Sequence, residues 1–178
     1  MRFGLFILVS TFTSAAVVGC GQSASTDVPA HQLTQVSVDG SKYLLIDEPE
    51  GAIGVIAARE TANDGEPIVV VGRIGGSANP WIEGRAAFML LDASMLLVAN
   101  GTESAAEGEV CLDDCCAAER AECTTLVKLV DADGKVLAAD ARQLFGVAAD
   151  DMVVVRGKAN KDESGNFVVL ADGIHVRR

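Results

Sequence analysis

Aromatic and basic side chains are both scarce in this sequence. Aromatic residues make up 4% of the 178 residues, and 14 Lys and Arg stand against 25 Asp and Glu, for a net charge of −11. Proteins that bind single-stranded nucleic acid stack bases on aromatic rings beside basic grooves, and an acidic surface repels phosphate backbones and anionic headgroups. The composition therefore argues against nucleic acid as a partner. It suits a cation, a basic protein partner or simple solubility.

Catalytic motifs are also missing. The sequence contains no Gly-x-Ser-x-Gly, and its two histidines, His31 and His175, lie far apart with no nucleophile paired to either. The acidic pair Asp113-Asp114 is more typical of a charged loop than of an acid–base pair. We therefore predict no catalytic residues and a protein that is not an enzyme.

The first 19 residues have the pattern of a secretory signal. Arg2 precedes an apolar run at residues 3–12, which is short for a membrane-spanning helix, and Val17-Val18-Gly19-Cys20 resembles the bacterial lipobox. That resemblance implies cleavage before Cys20 and lipidation of its sulfur, which would anchor the chain to a membrane. We expect the periplasmic face of a cell-envelope membrane, with the outer membrane favoured. The alternative is a plain secretory signal in which Cys20 is incidental.

Residues 20–30 are small and polar and predict a flexible tether. Residues 31–65 form an N-terminal extension in which residues 52–63 have helical spacing of apolar residues. The dipeptide Asp39-Gly40 predicts a hairpin turn, and Asp172-Gly173 predicts another turn between two short strands.

Short β-branched runs separated by turn residues dominate residues 66–178. A short helix capped by Asp140 and ended by Gly146 follows the third run. This order of strand, strand, insertion, strand, helix, strand, strand is the plan of an OB-fold. We therefore predict a mainly β fold, an OB-fold-like small barrel with a short helix between strands 3 and 4 and a preceding short helix. The barrel occupies residues 66–178, with a cysteine-rich insertion at 101–123.

The only tryptophan, Trp81, lies in the loop that follows the first barrel strand. We expect its ring to cover one end of the barrel, and we keep it as a candidate ligand contact.

Four segments carry a resemblance to a known family: IVVVGRIGG, GRAAFMLLD, LVDADGKVLAADARQLFG and VVVRGKANKDESGNFVVLADGIHVR. They resemble planctomycete-type bacterial lipoproteins of unknown function, over roughly the last two thirds of the chain. The resemblance implies an OB-like barrel with a cysteine-bearing insertion and an envelope location, and it implies no activity. Its relatives carry fewer cysteines in other spacings, so it implies no metal ligands.

The insertion contains Cys111, Cys115, Cys116 and Cys123. Thiols outside the cytoplasm tend to oxidise, and a bond between adjacent cysteines would be strained. Two pairings stay open: Cys111–Cys115 with Cys116–Cys123, or Cys111–Cys116 with Cys115–Cys123. Each bond would contribute about 2–3 kcal/mol.

The alternative for this segment is a metal site. Four thiolates suit zinc or copper(I), and Asp113 or Asp114 could replace a sulfur that cannot reach the ion. We favour the disulfides because of the expected compartment, so no cofactor is expected.

These observations predict a lipid-anchored, extracytoplasmic binding or structural module. A metal-binding lipoprotein is the alternative, and OB-fold nucleic-acid binding is the weaker one.

Overall fold

Residues 38–98 and 109–178 are described by the computed structural model of the chain. The predicted signal peptide, the tether and Cys20 lie outside these residues, as does the start of the cysteine-rich insertion. Within the described residues no helix has both the length and the hydropathy needed to cross a membrane.

Eight strands and three short helices occupy these residues, together with one-turn 3-10 helices at Gly40–Lys42 and Asp114–Cys116. In chain order they are β1 (Ile53–Gly54), α1 (Val55–Thr61), β2 (Pro67–Ile74), β3 (Ala87–Asp92), β4 (Leu96–Val98), β5 (Glu109–Cys111), α2 (Ala117–Glu122), β6 (Thr124–Leu129), α3 (Ala141–Phe145), β7 (Met152–Lys161) and β8 (Phe167–Val176).

Five of the strands form a closed barrel. They neighbour one another in the order β2-β3-β6-β8-β7, and β7 pairs again with β2. The pairing of β6 with β8 is parallel, and the other barrel pairings are antiparallel. With α3 between β6 and β7, the third and fourth barrel strands, this confirms the predicted OB-fold-like barrel.

Alternation along the strands fills the barrel interior. Successive side chains of a strand point to opposite faces, and in β2 every second residue from Ile68 to Ile74 is buried. From β3 and β6, Phe88, Leu90, Val127 and Leu129 enter the same core and are fully buried. The β-branched runs in the sequence therefore supply side chains to both the interior and the outer face of the barrel.

Residues 38–65 of the N-terminal extension pack on this barrel. Val38, Tyr43 and Ile53 contact the core. The Leu45 N–H donates to the Ile174 carbonyl (2.8 Å), and the Ile174 N–H donates to the Tyr43 carbonyl (2.7 Å). The predicted helix within residues 52–63 is present as α1.

The two-residue hairpin turn predicted at Asp39-Gly40 does not fit the described residues, because a 3-10 helix occupies Gly40–Lys42; the strand expected before Asp39 lies outside them. The Asp39 carboxylate accepts hydrogen bonds from the Ser41 N–H (3.0 Å) and hydroxyl (2.6 Å), and it caps the 3-10 turn that follows. Gly40 lies so close to the Leu144 carbonyl that a Cβ would be 2.5 Å from its oxygen. Asp39 therefore serves as the cap of the 3-10 helix, and Gly40 fits because it has no Cβ to clash with Leu144.

The turn predicted at Asp172-Gly173 is also wrong, because β8 runs through it. The register with β7 shifts between Arg156 and Gly157, so that Asp172 is passed over as a bulge. Its carboxylate accepts a hydrogen bond from Arg156 Nε at 2.8 Å across the two strands. The turn-forming pair therefore marks an irregularity inside one strand.

Candidate functional site

Residues 109–123 of the cysteine-rich insertion form short elements of secondary structure rather than an open loop. β5, the Asp114–Cys116 turn and α2 follow one another within it. Arg120 ties its ends together, because its Nη1 donates to the carbonyl oxygens of Cys111 (2.8 Å) and Asp113 (3.1 Å).

The two cysteines at the ends of this segment are buried thiols. Cys111 is 4% exposed and Cys123 is 2% exposed. The Cys111 sulfur accepts a hydrogen bond from the Asp113 N–H at 3.2 Å, and the Cys123 thiol donates to the Arg120 carbonyl at 3.4 Å. Burial raises the pKa of Cys123 above its ordinary value, so this thiol is protonated at neutral pH.

Neither predicted disulfide pairing is formed, because both pairings need bonds to Cys111 and Cys123 and these two are free thiols in the described structure. Their sulfurs instead form hydrogen bonds within their own turns. Cys116 is half-buried, and nothing is described of the Cys115 side chain. The described residues also contain no cluster of three His, Cys, Asp or Glu side chains that could hold a metal ion. Asp113 and Asp114 are exposed at the surface of the insert.

A buried carboxylate beside this insert was missed by sequence reasoning. Asp92, at the end of β3, is 5% exposed and receives hydrogen bonds from the Ile56 N–H (2.9 Å), the Ser94 N–H (2.9 Å) and the Ser94 hydroxyl (2.6 Å). Burial acts to raise the pKa of Asp92, but these bonds outweigh it and hold the pKa below its usual value. Asp92 therefore caps the N-terminus of α1 from another strand.

Trp81 packs at the edge of the barrel core. Its ring meets Phe88 edge to face with centroids 6.1 Å apart, and the Arg142 guanidinium lies 5.4 Å from its centroid. Arg142 in turn pairs with Asp140 (2.6 Å) and Glu83 (3.0 Å). Hydrogen bonds from Arg142 lower the pKa of Asp140 to about 2. The Trp81 ring therefore contacts Phe88 and lies beside the Arg142 guanidinium. A ligand contact by Trp81 stays a prediction.

A cavity of about 430 Å³ opens on the outer face of β3 and β6. Its lining consists of Ile82, Arg85, Ala87, Leu126, Lys128, Lys135 and Val136. Ligand pockets in proteins commonly enclose 300–1,000 Å³, so the space suits a small molecule or one group of a larger one.

The floor of the cavity is made by strand residues that face away from the core. Phe88 and Leu90 point inward, so Ala87 points outward. It lies opposite Lys128, and Met89 lies opposite Leu126. Ala87 is only 3% exposed. The short side chain of this residue leaves the space that a larger one would fill.

Two turns form the walls. One is closed by the Arg85 N–H donating to the Ile82 carbonyl at 3.1 Å, with Gly84 at φ 67°. The other is the hairpin between Val130 and Val136, held by the Asp131 N–H donating to the Lys135 carbonyl at 2.9 Å. Gly84 supplies a left-handed conformation that other residues rarely adopt. Distant parts of the sequence therefore meet at one site.

The cations of the cavity lack acidic partners. Among the described basic side chains, most form ion pairs or hydrogen bonds, but a minority form neither. That minority comprises Lys42, Arg85, Lys128, Lys135, Lys158 and Arg178. Three of these six side chains, Arg85, Lys128 and Lys135, line the cavity.

Three acids, Glu83, Asp131 and Asp133, lie in the same two turns as the cations, and two of them accept hydrogen bonds from other groups. Glu83, in the same turn as Arg85, pairs with Arg142. Asp131 accepts hydrogen bonds from the backbone N–H groups of Asp133 (3.0 Å) and Lys135 (2.9 Å). Asp133 is exposed in the hairpin turn. The lining itself therefore contains three cations and no acid, on a chain whose net charge is −11.

No family model matches this chain. A stretch of 91 residues is 35% identical to phosphoribosylformylglycinamidine synthase subunit PurL of Methylocella silvestris. The alignment covers 51% of this chain and 12% of that subunit, so the chain spans only a small part of the length of the relative it matches.

Proposed function

We propose that this protein is a non-enzymatic binding module, anchored by a lipid on Cys20, that holds its ligand in the cavity on the β3–β6 face. The cavity is the observation that carries the proposal. The face formed by strands 2 and 3 is where OB-folds bind their ligands, and here those strands are β3 and β6.

The chemistry of the lining favours binding over catalysis. Its residues supply aliphatic side chains and cations, and among them are no carboxylate, hydroxyl, thiol or imidazole groups. Those groups are the common general acids, general bases and nucleophiles, so of the usual catalytic groups the lining offers only its lysine amines. The identity with PurL covers too little of that enzyme subunit to bring its activity to this chain.

A fragment screen tests the binding function without assuming a ligand. We expect small-molecule fragments to bind the full chain and to lose binding in Ala87→Leu, whose larger side chain would fill the floor of the cavity. Lys42→Gln, an exposed residue away from the cavity, is the control and should bind as the parent does. A screen whose hits bind the Ala87→Leu protein equally well would contradict the proposal.

The anchor has its own test. The Val17-Val18-Gly19-Cys20 sequence and the resemblance to envelope lipoproteins support it. We expect the chain made in a bacterium to carry acyl chains and to fractionate with membranes, and Cys20→Ser to lose both properties. Unchanged membrane association of unacylated Cys20→Ser protein would argue for a plain secretory signal.

A further inference from the structure

We infer that the ligand of the β3–β6 cavity is a small amphiphilic anion: an aliphatic body that carries a carboxylate, sulfate or phosphate group. This inference rests on the proposed function and names the chemistry of its ligand.

The apolar part of the ligand is specified by the cavity floor and walls. Ala87 and Leu126 lie on the floor, and Ile82 and Val136 lie on the two walls. Ile82 is 43% exposed. A bound aliphatic chain would cover these side chains, and removing apolar surface from water is favourable.

The acidic part is specified by the three cations. Lys128 is half-buried on the floor, and Arg85 and Lys135 are exposed on opposite walls. None of the three forms an ion pair or a hydrogen bond with another described residue. Hydrogen bonds between charged partners are stronger than neutral ones, so an anionic group is the complement that this rim lacks.

The same lining does not suit nucleic acid. Single strands bind through aromatic rings that stack on the bases, whereas all four apolar residues of this lining are aliphatic. Trp81, in the loop beside it, already packs on Phe88 with Arg142 near its ring. Arg142 is held beside this ring by its pairs with Asp140 and Glu83.

Titration calorimetry separates the contribution of the probe's head-group charge from that of its alkyl chain. The protein is the full chain with Cys20→Ser, which prevents acylation. The probes share an eight-carbon chain: octanoate, octyl sulfate, octyl glucoside and octyltrimethylammonium. We expect octanoate and octyl sulfate to bind at least tenfold more tightly than the other two. Raising the ionic strength should narrow that difference.

Variants localise the charge preference. Lys128→Gln should weaken octyl sulfate about tenfold, the size expected for one charge-assisted hydrogen bond, and leave octyl glucoside unchanged. Lys42→Gln is the matched control and should change neither. Equal binding of anionic and neutral probes would overturn the inference while leaving the cavity as a ligand site. If none of the probes binds the parent protein and the fragment screen also finds no ligand, the proposed function itself is overturned.

Two further arms identify the source of the anion. If the parent binds vesicles that contain phosphatidylglycerol and Lys128→Gln weakens that binding, the anionic group belongs to a membrane lipid. Binding of octyl sulfate without binding of vesicles would assign it to a free amphiphile. Displacement of octyl sulfate by a short oligothymidylate at physiological salt would contradict the inference in favour of nucleic acid.

Discussion

At the scale of single residues, Asp92 joins two parts of the fold that the sequence separates. It follows an apolar strand, and one of its oxygens accepts from the first turn of α1 while the other accepts from Ser94. Gly54, just before α1, lies so close that a Cβ there would be 2.5 Å from Asp92 Oδ2. The glycine and the carboxylate therefore depend on each other.

Asp92→Asn should destabilise the protein by about 1–3 kcal/mol at pH 7, the cost of leaving buried hydrogen-bonding groups poorly satisfied. The pKa of Asp92 is lowered in the folded state, so its contribution is present above the unfolded pKa near 3.9. That contribution is lost as pH falls through the folded pKa. Urea unfolding should thus show the difference between parent and variant shrinking at acid pH.

The control is Asp133→Asn, an exposed carboxylate in the hairpin turn, which should stay within about 0.5 kcal/mol of the parent. A difference between parent and Asp92→Asn that grew on acidification would contradict this account of Asp92.

Gly157 makes a second prediction at this scale. A Cβ there would lie 2.2 Å from the Leu170 carbonyl oxygen, at the register shift between β7 and β8. Because the obstacle is backbone, Gly157→Ala should cost about 1–3 kcal/mol in the free energy of unfolding. The neighbouring Lys158→Ala, at an exposed position of the same strand, should cost under about 0.5 kcal/mol. Equal stability of the two variants would show that the strands absorb the extra atom.

At the scale of elements, the sequence predicts most of the barrel. The β-branched runs place the strands, and Asp140 and Gly146 place α3 between the third and fourth of them. Both errors concern Asp-Gly pairs, at Asp39 and Asp172. The same dipeptide serves as a hairpin turn, a helix cap or a bulge, and tertiary contacts decide among them. At Asp39-Gly40 the tertiary contact is the close approach of Gly40 to Leu144, and at Asp172-Gly173 it is the hydrogen bond from Arg156 to Asp172.

The cysteine-rich insert was judged by composition, which does not report burial. Cys111 and Cys123 are both buried, and Cys123 packs against Leu91 of β3. A small apolar side chain suits such a contact, so we interpret Cys123 as a packing residue.

Thiol titration without reductant tests this view. We expect Cys111 and Cys123 to react slowly with a thiol reagent in the folded protein and fully after unfolding in urea, because both are buried. The double variant Cys111→Ser, Cys123→Ser should lose both of these thiols from the unfolded count. An unfolded parent that titrates no more thiols than this variant would favour the disulfides predicted from the sequence.

At the scale of the whole molecule, net charge and local charge point to different ligands. The sum of −11 suggested a cation or a basic partner, yet Arg85, Lys128 and Lys135 surround one cavity. Glu83, in the same turn as Arg85, pairs with Arg142 instead of with a cation of the lining. The sequence could not predict this, because the cavity combines two turns and two strands whose contacts arise only when the barrel closes.

The central claim is that the β3–β6 cavity binds a small amphiphilic anion, and chemical-shift mapping with octyl sulfate tests it most directly. Amide signals of the full chain with Cys20→Ser would be followed to saturation, with octyl glucoside as the uncharged comparison. We predict that octyl sulfate shifts the signals of the cavity residues Ile82, Arg85, Ala87, Leu126, Lys128, Lys135 and Val136. Shifts centred on another face of the barrel, or no shifts at concentrations that saturate a millimolar site, would contradict the claim.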